Sequence, residues 1–157
     1  MDEKSPTENL DAGRLLLIVV GAHLRAEVGD RPLAYRLAEA MRQWIDRQEG
    51  VLGIPLVPVV CCDIWYLNQE TLQRWPTVSL GGPGVNALSA YFAQKLSPAL
   101  MADDQLVIQL DPEFVDLRVC VWGRDHQRTV QATNHFIDTY LDKYLRAVAT
   151  QVEPREG

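Results

Sequence analysis

Two stretches of this chain combine residue types at spacings that could do chemistry. The first is TVSLGGPGVN, residues 77–86, where β-branched residues run into a glycine-proline turn and then into the helix-forming run ALSAYFAQKL. Gly81, Gly82 and Gly84 leave room for a ligand to approach the backbone, so N–H groups of the turn and of the following helix could surround an anion. The plainer reading makes Gly-Gly-Pro-Gly simple turn chemistry and Asn86 a helix N-cap. The second stretch, WGRDHQRT, places Arg124, Asp125, His126 and Arg128 at a helix start. There the helix dipole favours an anion and a guanidinium can add a bidentate contact. In its plainer reading, Asp125 only caps the helix and both arginines are solvated.

Several established chemistries lack their signatures. The glycine turn is neither the G-x-G-x-x-G dinucleotide fingerprint, which follows a first strand, nor a Walker motif, because no Gly-Lys-Ser/Thr follows it. No motif implies a cofactor. A shared metal site is not expected: His126 and His135 lie nine residues apart on one helix, on roughly opposite sides at about 100° per residue. His23 with Glu27 is the remaining His–carboxylate pair. Cys61, Cys62 and Cys120 read as small core residues, since adjacent cysteines on a strand point to opposite faces and the third is odd. Asp63 with Asp111 or Glu113 could supply paired carboxylates, although sequence carries no distances. Trp65 and Tyr66, expected in a loop after a strand, are the aromatics best placed to stack on a ligand or meet a subunit.

Composition narrows the partner classes. The chain has 157 residues, 47% hydrophobic and 23% charged, which suits one domain with its own core. Its net charge of −6, with no basic cluster, argues against nucleic acid and anionic membranes. The first apolar run, Leu15 to Val20, is too short to span a bilayer and lacks a basic flank, so the expectation is a soluble, cytoplasmic protein. Residues 1–13 and 151–157 hold little that could pack and are expected to be disordered tails around a domain spanning 14–150.

The elements that must position these stretches alternate. RLLLIVVGA suits a central strand buried on both faces. Asp30 is expected to cap a helix with Pro32 in its first turn, apolar at Leu33, Leu37, Ala40, Met41, Trp44 and Ile45 and ending near Glu49-Gly50. A strand from Leu56 to Cys62, a short helical stretch QETLQRW, a strand Thr77 to Leu80 and a helix from Asn86 to Leu96 follow. QLVIQLD and DLRVCVWG are too close for a helical crossover and should pair antiparallel. The last helix, capped by Asp125, should run to Thr150. This pattern predicts a small Rossmann-like three-layer α/β/α sandwich, its sheet mostly parallel with an antiparallel edge hairpin. Ligands of such sheets bind beyond the carboxyl ends of the strands, where residues 23–30, 63–68, 81–86 and 123–129 would converge.

G-G-P-x-x-N, here Gly81, Gly82, Pro83 and Asn86, followed by V-x-G-x-D-x-x-x-T, here Val121, Gly123, Asp125 and Thr129, resembles the small α/β module of archaeal S-layer-associated proteins. The resemblance spans residues 77–137. It implies that the glycine-proline turn and the capped last helix face one another, in a module of structural or surface role. No secretion signal or anchor is read here, so the shape carries over and the location does not. A looser likeness to nucleoside-processing Rossmann-like domains lacks an assignable glutamate nucleophile; only Glu27 and Glu70 fall in the relevant loops.

The leading expectation is a non-catalytic module that binds a small anionic, nucleotide-like ligand between Gly81–Asn86 and Arg124–Arg128, with Trp65 or Tyr66 against its ring. One alternative is a nucleoside or nucleotide hydrolase or transferase using Glu27 or Asp63. The other is a ligand-free interaction domain forming a homo-oligomer.

Overall fold

The computed structural model describes residues 14–48, 56–102 and 105–151. The expected N-terminal tail, the helix end near Glu49-Gly50 and residues 152–157 of the expected tail 151–157 lie outside them, while Gln151 belongs to the last helix.

Strand β1 (Arg14–Val20) is the apolar run RLLLIVV. Its side chains alternate between two buried clusters: Leu16, Ile18 and Val20 enter one, Leu15, Leu17 and Val19 the other. Removing six such side chains from water contributes roughly 2 kcal/mol each in transfer free energy, which fixes this run at the centre of the sheet. β1 pairs in parallel with β2 (Leu56–Cys62) on one side and β3 (Thr77–Leu80) on the other. β4 (Pro98–Ala102), β5 (Leu106–Gln109) and β6 (Arg118–Gly123) complete a six-stranded sheet in the order β2-β1-β3-β6-β5-β4. β6 runs parallel to β3, and β5 pairs antiparallel with β6, as expected for two runs joined by so short a link.

β4 has no counterpart among the elements expected from the sequence. It adds antiparallel to β5 as the outermost strand, with a register shift between Pro98 and Leu100. A proline at the start of an edge strand leaves no ladder hydrogen bond unmade.

Helix α1 (Arg31–Arg47) buries Leu33, Ala34, Leu37, Ala38, Met41 and Trp44, while Ala40 and Ile45 are half-buried against the same cluster. Five further residues, Ala26–Asp30, form a π turn that runs straight into α1. α2 (Asp63–Leu67) is a short helix where the sequence suggested a loop; a 3₁₀ turn at Leu72–Arg74 follows it. α3 (Ala87–Lys95) follows the glycine turn. α4 (His126–His135) continues through a π turn, Phe136–Tyr140, into α5 (Leu141–Gln151), which together form the expected long last helix.

Residues of α1, α4 and α5 pack with Leu16, Ile18 and Val20; Tyr66 of α2 and Leu88 and Phe92 of α3 pack with Leu15, Leu17 and Val19. The fully buried Tyr144 donates its hydroxyl to Leu117 O at 2.9 Å, and Trp44 Nε1 donates to Asp142 Oδ1 at 2.9 Å. Each gives the polar tip of a core aromatic its partner. Cys61 and Cys120 are buried, and burial pushes their thiols up to about 12 and about 11, so both stay protonated packing groups. Among the described residues, no helix is long and apolar enough to cross a membrane.

Candidate functional site

Beyond the carboxyl ends of β1, β3 and β6, three connections line an open cavity of about 710 Å³. That volume is within the range of small-molecule sites, and the position is where open α/β sheets bind ligands. From the β1–α1 connection come Leu24, Arg25, Val28, Gly29 and Asp30; from the β3–α3 turn Gly82, Pro83, Gly84 and Val85. Trp122 to His126 and Thr129 supply the third wall from the end of β6 and the start of α4.

The glycine turn divides into two functions. Gly81 has φ of 110°, a conformation other residues rarely adopt, and the Asp30 carboxylate occupies the space a β-carbon there would need. Gly84 has open space around it, and a β-carbon on Gly82 would make only ordinary contacts, the nearest at 3.6 Å to Trp122. Turn geometry demands glycine at Gly81; at Gly82 and Gly84 the missing side chains keep the cavity open.

The helix after the turn offers an anion nothing. Asn86 accepts from Leu88 N and Ser89 N at 2.9 and 3.2 Å and donates Nδ2 to Val19 O and Leu80 O at 3.1 and 3.0 Å. Ala87 N donates to Asp63 Oδ2 at 2.7 Å, and Ala90 N to Asn86 O. Every N–H of the first turn of α3 is thus spent inside the protein. The expected phosphate cradle at this helix start is replaced by a closed cap.

Asp63, considered as a catalytic acid, is structural. Its Oδ1 accepts from Ala22 N and Ile64 N at 3.0 and 2.7 Å, so with Ala87 it ties three connections together. Glu27 is held on the surface by Arg31 at 3.1 Å.

The sequence reading missed the group that matters most. Asp30 was expected to cap α1, but its backbone is helical and its side chain makes no cap hydrogen bond; the π turn supplies the carbonyl of Ala26 to Arg31 N instead. The carboxylate, on a residue only 7% exposed, lines the cavity beside Gly81. Among the described residues, the other buried polar residues, Asp63, Thr77, Ser79, Asn86, Ser89, Gln109, Thr129 and Thr133, each have a hydrogen-bond partner. Asp30 has none where it lines the cavity, and the buried side-chain nitrogen left without a partner is Trp122 Nε1. Burial pushes its carboxyl from 3.8 up to about 6, and the charge of His126 draws it partway back.

His126 faces Asp30 from the start of α4, with Nδ1 3.0 Å from where a β-carbon on Gly29 would sit. Asp125 caps α4 through Arg128 N at 2.8 Å. Arg25 and Arg124 are exposed cavity-wall residues, and no carboxylate among the described residues pairs with either. Their guanidinium groups are available to an anion.

Of the residues singled out from sequence, Gly82, Gly84, Arg124 and Asp125 line this cavity, and Gly81 shapes it through Asp30. Arg128 turns away: its Nε donates to Gln105 Oε1 at 2.7 Å. Tyr66 is 2% exposed, its hydroxyl 3.0 Å from Thr77 Oγ1, and Trp65 packs on the cluster around Leu15 and Leu17, so neither aromatic reaches the cavity. Trp122 is the aromatic that does. Among the described residues, no group of three His, Cys, Asp or Glu side chains is placed to hold a metal ion. The chain matches no protein-family model, and no curated protein sequence matches it.

Proposed function

We propose that the chain is a Rossmann-like three-layer α/β/α domain that binds a small anionic, nucleotide-like ligand in the cavity beyond β1, β3 and β6, without catalysing a reaction. The single observation that carries this reading is the Asp30 carboxylate, which lines the cavity with no hydrogen-bond partner in the protein. Its acceptor oxygens are left for donors from outside the chain. Leu24, Val28, Pro83 and Trp122 offer an apolar surface to a ring, and Arg25, Arg124 and His126 offset negative charge. Packing of helices in two separate clusters, one on each set of β1 side chains, supports the three-layer reading.

Titration calorimetry with nucleoside monophosphates tests it, with Arg124→Ala as the charge variant. Saturable binding that weakens in Arg124→Ala supports the reading; heats of dilution alone for every nucleotide contradict it.

A second reading, hydrolysis or group transfer on a nucleoside or nucleotide, is favoured by the same carboxylate. It requires an acidic group beside the glycine turn, and Asp30 stands there with its carboxyl pushed up to about 6, useful for proton transfer near neutrality. Product formation from nucleosides or nucleotides that disappears in Asp30→Asn distinguishes this reading from pure binding.

A further inference from the structure

Asp30 also restricts what the ligand can be, an inference that rests on the binding reading above. An ionised carboxylate only accepts hydrogen bonds, through two oxygens, and it repels phosphate. A ligand must therefore bring hydrogen-bond donors to Asp30 and its anion to the cationic side chains. Asp30 lies against Gly81 with His126 facing it, whereas Arg124 comes from the connection after β6 and Arg25 from the connection after β1. We infer that Asp30 is the specificity-determining group of this cavity and accepts the vicinal hydroxyls of a ribose, so that the ligand is a ribosyl phosphate rather than a bare phosphate or pyrophosphate. Two adjacent hydroxyls match two carboxylate oxygens, and the phosphate of the same sugar is left for the guanidinium side.

Hydroxyl donors favour the ionised carboxylate, and burial pushes the Asp30 carboxyl up to about 6, so binding near that pH expels a proton. A ligand that instead placed an anion against Asp30 would favour the protonated acid and take a proton up. The charged groups that share the cavity with Asp30 are His126, Arg124 and Asp125 from the connection after β6 and Arg25 from its own connection; Gly82 to Val85 bring none. Repeating the titration with His126→Gln separates an imidazole contribution from that of Asp30.

The test is calorimetric titration at about pH 6 in two buffers of different ionisation enthalpy, which counts protons released or taken up. The probes are adenosine 5′-monophosphate, its 2′,3′-dideoxy analogue and inorganic pyrophosphate. The expected result is proton release with adenosine monophosphate, which keeps its sign in His126→Gln even as that variant binds more weakly. Affinity should fall at least about tenfold for the dideoxy analogue, and by a similar factor for adenosine monophosphate on Asp30→Asn. Equal binding of the two nucleotides, unchanged by Asp30→Asn, would overturn the role of Asp30 while leaving the anion site standing. Preferential binding of pyrophosphate with proton uptake would do the same. No binding of any probe would overturn both the inference and the reading beneath it.

Discussion

The carboxylate of Asp30 fills the space that a side chain on Gly81 would occupy. One contact thus joins the connection after β1 to the turn after β3, and it explains both why Gly81 is glycine and why Asp30 faces the cavity. The two residues should behave as a coupled pair. Gly81→Ala meets the carboxylate and a φ of 110°, and should destabilise the fold by about 2 kcal/mol or more. Combining it with Asp30→Ala removes the collision and leaves only the backbone strain, so urea midpoints should show the double variant less damaged than the sum of the singles. Additive losses would mean that the carboxylate and Gly81 are not in contact in solution.

Asp30 also sets a pH dependence. Its carboxyl is raised in the folded protein, so the stabilisation from its protonated form is fully present below about 3.8 and is lost as pH rises through about 6. The displacement from 3.8 to about 6 corresponds to roughly 3 kcal/mol. Asp30→Asn should therefore raise stability at about pH 8 by up to that amount and converge on the parent protein at about pH 4. Denaturation curves at the two pH values check this, and equal stabilities at both would refute it.

Asn86 is 1% exposed and joins α3 to β1 and β3 through its two donated and two accepted hydrogen bonds. Asn86→Ala should cost roughly 3 kcal/mol, read as a drop in the urea midpoint. Because the side chain does not line the cavity, protein that still folds should keep its ligand affinity.

Asp63→Asn makes a parallel case. Replacing one carboxylate oxygen by an amide sets an N–H against an N–H of Ala22, Ile64 or Ala87 and should destabilise by roughly 2 kcal/mol. Ligand affinity should not change, and a selective loss of binding or turnover with normal stability would return Asp63 to the site.

The run RLLLIVV, the strand before the glycine turn and the amphipathic stripes of α1 and the last helix were legible because burial on one or both faces leaves a period in the sequence. β4 was not, since PALMA sits half-exposed on a sheet edge where no period is imposed. Asp30 followed by Arg-Pro carries the signature of a helix cap, and only the preceding π turn, which serves Arg31 N through Ala26 O, frees its carboxylate for the cavity. Trp65 and Tyr66 were misplaced for a related reason: Asp63, read as a loop acid, bonds Ile64 N at the start of α2, and that helix puts Tyr66 into the core. In both cases the carboxylate is set against another connection, Asp30 against Gly81 and Asp63 against Ala22 and Ala87, a placement that residue types do not encode.

The most direct test of the ligand site is a thermal-shift screen against nucleotides, nucleosides and sugar phosphates, run in parallel on Gly84→Phe. Gly84 is a wall residue of the cavity and a β-carbon there meets nothing within 4 Å, so the turn accommodates a phenyl ring beside the cavity. A ligand at a hundredfold its dissociation constant adds about 2.7 kcal/mol, a rise of several degrees for a domain of this size. That rise is expected in the parent protein and its loss in Gly84→Phe; no rise with any compound, or the same rise in Gly84→Phe, would contradict a ligand site in this cavity.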